Sequence, residues 1–132
     1  MASVLRTIEI SASADSVWAR LRDFHALHRR LVPGFVRECR SEPGARVLTF
    51  FNGHVARELL VGVDDAARRI AYASVGGKAT HHNASAQVFA ETESRCRVLW
   101  ISDVLPDEMA CPIAEMMDQG AAVMKATLET PE

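Results

Sequence analysis

The sequence lacks most of what would announce an activity. It holds no GxGxxG, Walker A, GxSxG or HExxH motif, so glycine-rich phosphate cradles, the nucleophile elbow and the zinc-protease helix are all missing. No cofactor is expected. Cysteine is scarce: Cys39, Cys96 and Cys111 form an odd set with no CxxC pair. Reduced thiols in a cytoplasm fit that usage better than a disulfide framework. The N-terminal MASVLRTIEI has no apolar h-region, and no stretch approaches the ~20 apolar residues that cross a bilayer. Neither export nor membrane insertion is expected, and the sequon Asn83-Ala84-Ser85 therefore carries no weight.

Charge of one sign is missing too. The formal net charge is −2, and the paired basic residues Arg29–Arg30 and Arg68–Arg69 stand apart from any interleaved aromatics. A nucleic-acid groove needs both features together, so nucleic acid is not an expected partner. Metal binding is not expected either. His25 and His28 lie three apart near Asp23, but no third ligand has a fixed spacing to them. Aromatics make up only 6% of the chain, which predicts an aliphatic core with Ala and Met filling gaps. At 132 residues with 48% apolar content, one domain spanning 1–132 is expected, burying roughly two-thirds of its extended-chain surface.

What is present is a clear order of elements. Val4 to Ile10 alternates as a strand. Ser13 offers a helix N-cap with Asp15 in the first turn, and Val17, Trp18 and Leu21 share a helix face. Phe24, Leu27 and Leu31 suggest a second helical stretch, ended by Pro33-Gly34. From Phe35 to Leu105 the pattern is six strands punctuated by Pro43-Gly44, Asn52-Gly53, Asp64-Asp65, Gly76-Gly77 and Glu93-Ser94. Asn52-Gly53 predicts a two-residue hairpin turn. A final amphipathic segment from about Asp107 to Leu128 would be about 33 Å long as a helix. It carries Met109, Met116, Met117 and Met124. Pro112 predicts a kink there, or a separate first turn at Asp107–Ala110.

That order, β-αα-β6-α, with SADSVW opening the first helix and WISDVLPDE leading into a helix bearing MMDQG, resembles the polyketide cyclase/dehydrase branch of the START and Bet v 1-like superfamily. The likeness covers nearly the whole chain. It implies an α+β helix-grip fold, a curved antiparallel sheet of six to seven strands wrapped around a long C-terminal helix with a cavity between them. It also implies an apolar or amphipathic small molecule as the partner. Members bind lipids, hormones or polyketides, and some catalyse cyclisation or dehydration.

Strand parity then proposes the lining. His82 shares a face with Ala84, Ala86 and Val88, and small side chains beside an inward histidine leave volume open. Trp100 and Ser102 share a face of the last strand with Val98 and Val104. Tyr72 lies with Ile70 and Ser74. Met116 belongs to the apolar stripe of the final helix. Glu58 is divided. A two-residue turn at Asn52-Gly53 sets Val47 opposite Glu58 and groups Glu58 with Val47, Thr49 and Phe51. The other face, with Leu48, Phe50, Val55, Leu59 and Val61, is the more apolar, so periodicity turns Glu58 outward. The resemblance turns it inward, because hormone-binding plant relatives keep a pocket glutamate in a similar E-x-L-x-x-x-D context, here Glu58, Leu60 and Asp64. An inward Glu58 would leave the hairpin's outer face greasy, which implies a partner surface and admits a homodimer. The same relatives suggest Arg37 as its basic partner.

Each of these residues also has a plainer role. His82 would serve equally as a hydrogen-bonded core histidine, Glu58 as a solvated strand residue, and the methionines as packing. The expectation is a small-molecule binder that reads one polar end of its ligand through Glu58, His82, Tyr72 and Arg37. The alternatives are a cyclase- or dehydratase-like enzyme using His82 or Glu58 as general acid/base, and a partner-binding protein with a vestigial cavity.

Overall fold

Alternation makes the first strand, β1 (Ala2–Ile10), which buries Val4, Ile8 and Ile10 while Ser3, Leu5, Thr7 and Glu9 are exposed. The computed structural model describes residues 2–132. Helix α1 (Ala14–Leu21) starts where Ser13 accepts a hydrogen bond from the Ser16 amide at 3.2 Å, with Asp15 in the first turn. Its apolar face buries Val17, Trp18 and Leu21. The second helical stretch is shorter than expected: α2 covers only Leu27–Arg30.

Six strands follow: β2 (Val36–Glu42), β3 (Ala45–Phe50), β4 (Val55–Asp64), β5 (Arg69–Val75), β6 (His81–Thr92) and β7 (Arg95–Leu105). All pairings are antiparallel, in the order β1-β7-β6-β5-β4-β3-β2. Register shifts in β2, β4 and β6 mark bulges, which bend and twist a strand locally. The result is the α+β helix-grip fold, with seven curved strands facing one long helix.

The hairpin between β3 and β4 differs from the expected one by a single residue. Only Gly53 has positive φ (+85°), so the two-residue type I′ turn, which needs two such residues, does not form. Instead Phe50 donates its amide to the His54 carbonyl at 2.8 Å and residues 51–53 form the loop. The Asn52 side chain accepts from the His54 amide at 3.1 Å, an Asx-type turn. Arg46, not Val47, therefore stands opposite Glu58, and Leu48 stands opposite Ala56. Leu48 and Phe50 move to the same face as Glu58, and Phe51 goes out to solvent.

At the other end of the chain the separate first turn forms, and Pro112 lies within an uninterrupted helix. A 3₁₀ turn at Asp107–Met109 precedes α3 (Ala110–Leu128), which makes Pro112 the third helical residue. Amides of the first turn have no intrahelical acceptor, so proline removes nothing there. Helix α3 buries Met117, Gly120, Met124 and Leu128. Gly120 matters for closeness: a Cβ at that position would sit 3.1 Å from the Phe35 ring and 3.4 Å from the Trp100 indole. Among the described residues, no helix is long and apolar enough to cross a membrane.

Candidate cavity and its polar wall

Between the sheet, the α1–α2 segment and α3 lies a cavity of about 320 Å³, at the lower end of the range for small-molecule sites. Its lining is mostly apolar. Leu31 and Phe35 come from one side, Leu48 and Ile70 from the sheet, Met116 and Met124 from α3. The exposed residues His54, Gly77 and Lys78 also line it, together with half-buried Met109 and Ile113, and they place its mouth at the start of α3.

The room comes from β6. Ala84 sits between Tyr72 of β5 and Ser102 of β7, and Ala86 between Ile70 and Trp100. Strands two apart in a sheet are separated by roughly 9.6 Å, and only short side chains on the middle strand let their neighbours meet above it. Here they do: the Trp100 indole Nε1 donates to the Tyr72 hydroxyl at 2.9 Å, across the alanines. Larger residues at Ala84 or Ala86 would fill both that bridge and the space above it.

Polar groups cluster on one wall. Arg46 and Glu58 are cross-strand partners and both are buried. The Arg46 Nε donates to Glu58 Oε1 at 2.8 Å, and Nη2 lies 2.7 Å from the same oxygen as an ion pair. Nη1 donates to the Phe24 carbonyl at 2.9 Å. The guanidinium lies 3.9 Å over the Phe24 ring and 5.0 Å from the Tyr72 ring centroid, both within cation–π range. Taking two charges out of water is costly, and these added bonds and ring faces offset the cost. Tyr72 lines the cavity beside this pair. Its phenol pKa is pushed well above the usual tyrosine value, first by burial and then by the Glu58 carboxylate.

Next in line come Ser74, opposite Glu58, and His82, toward which the β5–β6 register carries Ser74. Burial lowers the His82 pKa below its ordinary 6.5, outweighing the opposing pull of Glu58. The imidazole is therefore neutral at pH 7. Ser102 is buried on the same inner face, and Trp100 and Met116 also line the cavity.

Six of the seven residues singled out from the sequence thus border one space: His82, Glu58, Tyr72, Trp100, Ser102 and Met116. Arg37 does not. It is exposed on β2, beside a register shift between Val36 and Glu38, and the basic partner of Glu58 is Arg46. Arg46 was missed because the assumed turn set Val47 in its place. The signal that would have found it is parity, since Arg46 shares a face with Leu48 and Phe50, the more apolar pair on that strand. The same shift removes Leu48 and Phe50 from the greasy outer face that suggested a homodimer, although Val55 and Val61 remain exposed there. No set of three His, Cys, Asp or Glu side chains among the described residues converges as metal ligands would.

The fold is shared widely. An uncharacterised protein from Bacillus thuringiensis superposes with a TM-score of 0.86 at 19% identity, covering 98% of this chain and 100% of that one. The di-domain ARO/CYC protein BexL of the BE-7585A biosynthetic pathway gives 0.83 at 15% identity, over 98% of this chain and 47% of its own. Norcoclaurine synthase from Thalictrum flavum, solved with dopamine and hydroxybenzaldehyde, gives 0.71 at 19% identity, covering 99% and 88%. No curated protein matches the sequence. A family model described as polyketide cyclase/dehydrase and lipid transport matches residues 1–129, and the chain belongs to that family.

Proposed function

We propose that this protein binds a small, mostly apolar molecule in the cavity, with the ligand's polar end against Glu58, Tyr72 and His82. One observation carries the reading. Away from its exposed mouth the space is walled mostly by aliphatic, methionine and aromatic side chains, and its polar groups gather on one wall with Arg46; a pocket built that way is suited to an amphipathic guest. Trp100, Ser102 and Met116 would contact the apolar part. The test is native mass spectrometry of freshly purified protein, followed by extraction and identification of bound material. A lipophilic molecule retained by the wild type and lost in His82→Ala, with folding unchanged, is the expected result. An empty protein that binds no member of a lipophilic compound panel would overturn the reading.

A second reading is proton-transfer catalysis in the same cavity, of the cyclase or dehydratase kind. The neutral His82 imidazole and the Glu58 carboxylate face one space, and such a pair can act as general base and acid on an enolisable substrate. Turnover of a poly-β-ketone thioester that His82→Ala abolishes while leaving binding intact would favour it over simple binding.

A further inference from the structure

The cavity contains one cation–anion pair, and the way its bonds are allocated says what kind of ligand end fits. Each Arg46 nitrogen has an oxygen beside it: Nε donates to Glu58 Oε1, Nη2 lies 2.7 Å from the same oxygen, and Nη1 donates to the Phe24 carbonyl. The Phe24 and Tyr72 rings pack against the guanidinium as well. Its Nε/Nη2 edge, one of the forks that grip a carboxylate, is thus already taken by Glu58, which also balances its charge. Glu58 shows the opposite pattern. Both contacts with Arg46 fall on Oε1, and Oε2 accepts no hydrogen bond from the described residues although Glu58 lines the cavity. Tyr72 is half-used as well: its oxygen accepts from Trp100, while its own proton has no acceptor among the described residues.

Resting on the binding reading above, we propose that the polar end of this cavity selects a neutral hydroxyl, an alcohol or phenol on an apolar frame, and discriminates against a carboxylate. The ligand hydroxyl donates to Glu58 Oε2 and accepts from the Tyr72 O–H. A carboxylate at the same place has no proton to donate and meets the Glu58 carboxylate, which already pairs with the Arg46 charge. His82, neutral at pH 7, supplies no compensating cation. Lys78 also lines the cavity, but it is exposed at the mouth. In this arrangement Arg46 is a positioning residue: it pins one oxygen of Glu58 and so aims the other.

Three probes with one frame test this: 2-naphthol, 2-naphthoate and 2-methylnaphthalene, titrated at pH 7.5 by calorimetry and by amide chemical-shift changes. A hydrogen bond to a charged acceptor predicts that naphthol binds about tenfold or more tightly than methylnaphthalene, with naphthoate weakest. Tyr72→Phe and Glu58→Gln should each shrink the naphthol advantage several-fold and leave methylnaphthalene affinity unchanged. Should Glu58→Gln fail to fold, the wild-type ranking and Tyr72→Phe still decide. Equal binding of naphthol and methylnaphthalene, or naphthoate as tight as naphthol, would overturn the hydroxyl inference while the cavity reading stands. No binding of any probe within the cavity would remove both.

Discussion

Where β1, the start of β7 and the second half of β6 meet, the sheet's inner face is sealed, with Ile10, Cys96 and Val98 at zero exposure. Across β3, β4 and β5, and along the His82–Ala86 and Trp100–Ser102 stretches beside them, the same face holds an ion pair, a tyrosine and open volume. Both halves obey one alternation, and they differ in what fills the inward positions. In the first half branched aliphatics meet each other in register, as Val88 does Val98. In the second, charge stands opposite charge, and the alanines of β6 lie beside the Tyr72 and Trp100 rings. One half supplies stability, at about 1.5–3 kcal/mol per fully buried aliphatic side chain. The other gives some of that up for a site.

The sharpest way to break this comparison is Arg46→Met. Leaving Glu58 buried without its partner should cost about 3–5 kcal/mol, read by urea unfolding, and adding Glu58→Leu should recover much of the loss. If Arg46→Met alone were neutral, the pair would be solvated and the polar wall would not be part of the interior. Next comes a packing contrast. Ile10→Ala in the sealed half should cost about 3 kcal/mol, because it leaves a new cavity. Met116→Ala should cost no more than about 1 kcal/mol, because it widens a space that already exists. Equal costs would mean that the cavity is closed in solution.

How much of this could be read from the sequence depends on how each element encodes its register. Strand β6 was fully legible, since His82, Ala84, Ala86 and Val88 alternate without interruption and both ladders keep that register. Helix α3 was legible to within its first turn. The β3–β4 hairpin was not, because its register depends on whether Asn52 adopts positive φ, which is a tertiary outcome and not a compositional one. Periodicity identified Leu48 and Phe50 as the apolar face, and the resemblance identified Glu58 as inward. The two conflicted only under the wrong loop length. With three loop residues both hold, and Arg46 appears as the missing partner.

A smaller stability effect with a large functional one is expected from Ala86→Leu. It should change folding by no more than about 1–2 kcal/mol, since the added volume enters open space. Yet it should abolish probe binding and disturb the Trp100–Tyr72 hydrogen bond, visible as a shifted indole N–H resonance. Unchanged binding would show that the room does not come from the alanines of β6.

The smallest effect is the pH dependence set by His82. Its folded pKa lies below the ordinary 6.5, so the unfolded chain takes up the proton first as pH falls, and stability is lost from about pH 6.5 downward. The depressed carboxylates Asp65, Asp103, Asp118, Glu129 and Glu132 act lower, as pH falls through the range below their ordinary values near 4. Melting temperatures recorded between pH 7 and 5 should therefore fall more steeply in the wild type than in His82→Asn. Parallel curves would show that His82 is solvated.

The loop at residues 51–53 has a consequence for how such proteins diverge. It lies on the surface, where sequence change is tolerated. Yet a substitution that let residues 52 and 53 close as a two-residue turn would pair Phe51 with His54, set Val47 opposite Glu58 and turn either the carboxylate or Leu48 toward water. A single substitution in an exposed turn would then rewrite the interior chemistry without touching the polar wall itself. Lineages of this fold could thus trade one guest for another by editing turn type alone, while the buried pocket side chains are inherited unchanged.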